Sequence, residues 1–103
     1  MDTIRRSLAL LVVCSGLGSC ATRIPRPTLE LAGGSASRLE RLQAGYDLYL
    51  GKCSGCHALY PLEQYSPREW THCVDEMTAR SKVRFEAGER DVLVDYLCTG
   101  STP

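Results

Sequence analysis

The chain is poor in the side chains that most ligand chemistry needs. It has two histidines, two methionines, one tryptophan and one phenylalanine, so any imidazole or thioether donor comes from a very short list. Charge of one sign is not in excess: twelve basic residues stand against twelve acidic ones. There is no Lys/Arg run and no basic stripe, which removes the usual reason to propose a nucleic-acid partner. The longest apolar run, Ser7 to Leu17, is too short to span a bilayer as a helix. No stretch alternates apolar and polar residues as a strand would, and no internal repeat is visible. With 103 residues the chain suffices for one small domain.

The N-terminus reads as a targeting segment. Arg5 and Arg6 precede Leu8, Ala9, Leu10, Leu11, Val12 and Val13, the layout of a secretory signal. The run ends in Leu17-Gly18-Ser19-Cys20, which resembles the lipobox of bacterial lipoproteins. That resemblance implies a signal peptide over 1–19, cleavage before Cys20 and a diacylglycerol on its sulfur. The rival readings are an ordinary signal with a chance cysteine, or an anchor left uncleaved. Cys14 lies within the apolar run behind bulky Val13, which fits the cleavage pattern poorly. Residues 20–36 then follow as a lipidated cysteine and a flexible tether, marked by Pro25, Pro27, Gly33 and Gly34 and by the lack of any period. Such a tether would reach roughly 20–25 Å, or about 50 Å if stretched.

Residues 37–103 carry three helical patterns. In Ser37–Leu50, Leu39, Leu42, Tyr46, Tyr49 and Leu50 share one side, with Ser37 and Glu40 placed for a capping box. Ser66-Pro67-Arg68-Glu69 is a second capping box with proline in the first helical position. It opens a helix predicted to run to about Arg80, with Trp70, Cys73, Val74 and Met77 on its apolar face. A third helix is expected over Glu86–Cys98, striped by Val92, Leu93, Tyr96 and Leu97 and stopped by Gly100. The fold class expected is all-α. A core this small is marginal alone and calls for a staple.

The staple is Cys53-Ser54-Gly55-Cys56-His57, a C-x-x-C-H haem attachment sequence. Two thiols at this spacing can add to the two haem vinyl groups, and the following imidazole can then bind the iron from the proximal side. A zinc knuckle would want a second close Cys or His pair, and Cys73 and Cys98 are isolated. A thioredoxin-like dithiol would want strands between helices. A purely structural pair within the C-x-x-C is the remaining rival and is disfavoured.

With this motif the chain resembles the class I, monohaem c-type cytochromes over about Ser37 to Gly100. Gly45, Tyr49 and Cys53 match the family's N-terminal helix, and Leu93, Tyr96 and Leu97 match its C-terminal partner. The resemblance implies a small three-helix cytochrome c-like domain around one covalent haem c. Cys53 and Cys56 would hold the haem, His57 would be the proximal ligand, and Gly45 would let the two terminal helices cross closely. A methionine usually supplies the distal ligand. Met1 leaves with the signal, so Met77 is the candidate, although it sits in a helix where the family commonly uses a loop. His72 is the rival, placed on the opposite side of the helix from Trp70. Either Pro61 or Pro67 would accept the His57 N–H, and Trp70, Tyr60 and Tyr65 would pack on haem edges.

Two cysteines remain once Cys14, Cys20, Cys53 and Cys56 are assigned. In an oxidising compartment Cys73 and Cys98 are expected to form a disulfide. The function expected is single-electron transfer in the bacterial envelope, by a carrier that is not an enzyme, with redox proteins as partners and the membrane reached through the N-terminal lipid. The alternatives are a haem sensor or haem enzyme with an open distal site, and a relay subunit of a larger redox complex.

Overall fold

The computed structural model describes residues 23–55 and 58–103. The signal segment, Cys20, Cys56 and His57 lie outside the described residues, so the assignments made to them have no structural counterpart. Three α-helices, α1 (Ala36–Leu48), α2 (Pro67–Ala79) and α3 (Glu89–Thr99), are joined by a π-helical turn (Tyr49–Cys53) and a short 3-10 turn (Leu62–Gln64). Among the described residues there is no strand. The all-α expectation with three helices holds.

The helix starts follow local chemistry. At α2 the Ser66 side chain accepts from the Glu69 backbone N–H, and the Glu69 carboxylate accepts from Ser66 N–H at 2.8 Å. The capping box is therefore complete, and Pro67 occupies a position where its missing N–H is not needed. At α1 the cap is Ser35, accepting from Arg38 N–H, so the helix begins before the expected Ser37 and the Ser37/Glu40 box does not form. The last helix starts later than Glu86. Gly88, at φ +84°, makes the entry turn, and the Glu89 carboxylate accepts from Glu86 N–H at 2.8 Å.

The frame is the crossing of α1 with α3. Gly45 is buried in it. A Cβ there would lie 2.5 Å from Tyr96 Cβ and 2.6 Å from the Val92 carbonyl oxygen, so only glycine allows this approach. Arg41–Asp95 at 2.5 Å and Lys52–Glu89 at 2.8 Å bracket the crossing and fix the two helices antiparallel. Arg90 joins α3 to α2 through a bidentate pair with Asp75, both bonds 2.8 Å. One apolar cluster ties the elements together: Tyr49, Leu62, Trp70, Val74, Leu93, Tyr96 and Leu97.

The segment expected to be a free tether is largely docked. Ile24 packs against the core cluster, Tyr96 OH donates to the Pro25 carbonyl at 2.6 Å, and the Arg26 guanidinium lies over the Tyr46 ring. Thr28 to Gly34 then fold into consecutive hydrogen-bonded turns around buried Ala32. Proline and glycine here shape a strap rather than a loose linker, because the surface that receives it is built by residues far along the chain. The folded unit therefore starts near Ile24, ahead of the expected boundary at residue 37.

Candidate functional site

An apolar cleft of about 300 Å³ opens between the C-terminal end of α1, the face of α2 and the inner side of α3. Tyr49 and Cys53 form one wall. The π-turn inserts an extra residue per turn at the end of α1. On α2, Trp70, Cys73, Val74 and Met77 recur at helical spacing and line the opposite wall. Leu93 and Leu97 of α3 close the floor. Val83 and Phe85, from the connection between α2 and α3, complete the rim.

Aromatic rings organise the interior. Tyr49, Trp70, Tyr65 and Tyr60 meet successively edge to face, with centroids 6.0, 5.0 and 5.9 Å apart. The Trp70 indole N–H donates to the Leu62 carbonyl at 2.8 Å, and Tyr49 OH donates to the Tyr60 carbonyl at 2.6 Å. The polar atoms of Trp70 and Tyr49 are thus satisfied by backbone carbonyls, leaving their ring faces and edges to the cleft. Burial raises the Tyr49 hydroxyl far above the usual phenol range, so it stays neutral. Burial first, then the Glu76 and Glu69 carboxylates, also push up the Cys73 thiol. Among the described residues, none that lines the cleft carries a charge.

Two of the sequence-derived site residues meet here: Cys53 and Met77 line the same cleft. Met77 lies near the end of α2, which stops two residues later, and its side chain is 36% exposed at the mouth. Its rival His72 is outside the cleft. The imidazole is largely exposed on the far side of α2, 3.5 Å from Glu76. Trp70, Tyr60 and Tyr65 occupy the cleft as expected. The Pro67 carbonyl is engaged by Thr71 OH at 2.8 Å, and the Pro61 carbonyl by Gln64 N–H at 3.0 Å.

Cys73 and Cys98 do not form the expected disulfide in this structure; both are thiols. Cys73 lines the cleft, whereas the Cys98 sulfur lies 3.9 Å from the Pro67 carbonyl at the start of α2. Pro67 and Cys73 are separated by about 9 Å of helical rise, well beyond what a disulfide spans.

Sequence reading missed the rim. Phe85, the one phenylalanine, has no helical or strand period around it. It is placed by Lys52, whose ammonium donates to the Arg84 carbonyl at 2.6 Å and to Glu89 at 2.8 Å while lying 5.6 Å from the Phe85 ring centroid. The only available signal was a hydrophobic pair, Val83 and Phe85, in an otherwise charged connection.

The residues present suit a haem. The cleft is apolar and aromatic, its one wall ends in the first cysteine of the attachment sequence, and the other offers a thioether sulfur. No family model, curated protein or solved structure matches the chain.

Proposed function

We propose that this chain is a monohaem c-type cytochrome of the bacterial envelope, anchored by lipid on Cys20, that transfers single electrons between redox proteins. The observation that carries the reading is the cleft shared by Cys53 and Met77: the start of the C-x-x-C-H sequence and the one methionine of the mature chain line the same apolar space. Cys53 and Cys56 would hold one haem c through thioethers, His57 would bind on the proximal side and Met77 on the distal side. When bound, the haem supplies a reversible Fe(III)/Fe(II) couple.

The chain's own contribution is environment. An uncharged wall disfavours the more highly charged ferric form, and a thioether ligand favours ferrous iron over an imidazole in the same place. Both raise the reduction potential. Trp70, Tyr49, Leu93 and Leu97 keep water from the interior, while Tyr60 and Met77 reach the mouth, where a partner could approach. A carrier of this kind needs no substrate pocket.

The test is direct. Denaturing gels of the exported protein should keep peroxidase-active haem on the band, and acid acetone should fail to extract it. Extraction of the haem would refute covalent attachment. The half-exposed position of Met77 also favours a second reading, a labile distal bond in a haem sensor or enzyme. Carbon monoxide separates the two: the reduced carrier resists it, whereas an open distal site binds it rapidly.

A further inference from the structure

Large apolar side chains are exposed at only four places among the described residues: Tyr60 and Met77 at the cleft mouth, and Leu29 (50%) and Leu31 (43%) on the strap. We infer that the strap turn carrying Leu29 and Leu31 rests on the phospholipid bilayer to which Cys20 is tied, with the cleft turned away from the membrane. The inference rests on the lipid-anchor reading proposed above and adds an orientation to it.

The length of chain between the anchor and the folded unit decides the matter. Only Ala21 and Thr22 separate Cys20 from Arg23. Three peptide spacings place the Arg23 Cα within about 11 Å of the lipidated residue. Ile24 is already packed on the core, and Pro25 is held by Tyr96 OH. The domain therefore has little slack and cannot swivel as a long tether would permit.

The strap is also built to present its leucines. Ala32 N–H donates to the Thr28 carbonyl at 3.1 Å, Gly34 N–H to the Leu29 carbonyl at 2.9 Å, and Leu31 N–H to the Thr28 hydroxyl at 3.1 Å. These bonds turn the backbone inward around Ala32 and leave Leu29 and Leu31 outside. Arg23 and Arg26 accompany them, against a single acid, Glu30, between residues 23 and 36. Apolar side chains flanked by a small cationic excess suit the headgroup boundary. The turn leads into the N-terminal end of α1, whereas Tyr49 and Cys53 of the cleft follow its C-terminal end. The length of α1 separates the two by about 20 Å.

The test places a photo-crosslinking phenylalanine at Leu31 or at Tyr60 in the full chain. The exported protein is reconstituted into vesicles of phosphatidylethanolamine and phosphatidylglycerol, illuminated, and weighed. The intact mass first shows whether Cys20 carries a diacylglyceryl group. The expected result is a lipidated N-terminus, with lipid adducts about tenfold more abundant from position 31 than from position 60, the bias expected from burying two half-exposed leucines. Leu29→Ser in the position-31 protein should reduce that ratio. A lipidated chain that gives equal adducts from both positions overturns the orientation alone. An unmodified Cys20 overturns the anchor reading, and the orientation with it.

Discussion

Gly45→Ala tests the crossing on which the cleft stands. The added Cβ would meet Tyr96 Cβ at 2.5 Å and the Val92 carbonyl oxygen at 2.6 Å. One obstacle is backbone, and the other is the first side-chain atom of a fully buried residue, so neither can rotate away. Relief requires α1 and α3 to part by about 1 Å, which forfeits a large part of the dispersion contact along the seam. Overpacking of this sort costs about 3 kcal/mol at the upper end of its usual range, while alanine in a helix returns about 0.5–1 kcal/mol over glycine. The net loss is about 2 kcal/mol, which for a domain this small lowers Tm by about 10 °C. Far-UV circular dichroism melts of the purified full chain measure it. Gly51→Ala is the control, because nothing lies within 4 Å of its would-be Cβ. Gly45→Ala melting at or above the parent temperature would refute the argument. Equal shifts for the two variants would show that helix propensity, not the crossing, governs the result.

The other expectations concern the cleft and its rim. Met77→Ala should abolish the weak far-red absorption of ferric methionine–haem coordination and lower the potential, whereas His72→Ala, altering an exposed side chain, should leave both unchanged; the reverse pattern would make His72 the ligand. The Lys52 ammonium, then the Glu86 N–H, holds the Glu89 carboxyl below its ordinary pKa of 4.5. Its stabilisation is therefore fully present above 4.5 and is lost as the pH falls through the lower folded value, so amide protection factors across residues 83–88, corrected for the intrinsic pH dependence of exchange, should fall on acidification, and Lys52→Met should weaken that dependence, leaving the part due to the Glu86 N–H. Finally, alkylating the denatured, unreduced haem-bearing protein should add two groups, at Cys73 and Cys98. No addition without reductant and two with it would establish a bridge despite their separation in the structure.

What was legible in the sequence was local, or carried by a residue type with few uses. Ser66-Pro67-Arg68-Glu69 specifies its own helix start, since every bond in it forms within four residues. Trp70, Val74 and Met77 fall on one helix face by periodicity alone, whereas Gly45 was marked for the crossing only by the resemblance to class I c-type cytochromes. The strap was not legible. Its Pro and Gly content suits a linker equally well, and what fixes it is the Tyr96 hydroxyl, 71 positions away from Pro25. The disulfide expectation failed to find support for a related reason. Counting thiols pairs Cys73 with Cys98, but only the packing of α3 reveals that Cys98 meets the beginning of α2 and not its middle. The start of α1 moved because Ser35, with its extended backbone, captured the Arg38 N–H before Ser37 could act as cap.

The site and the core of this protein are largely the same residues. Tyr49, Trp70, Val74, Leu93 and Leu97 belong to the buried cluster and also line the cleft. Only Leu62 and Tyr96 of that cluster serve packing without facing it. In a chain this short, a core divided from its binding site would leave too little apolar burial for either. Sharing the residues removes the conflict: the five are at most 6% exposed beside the open cleft, so each serves as core and as cleft wall at once.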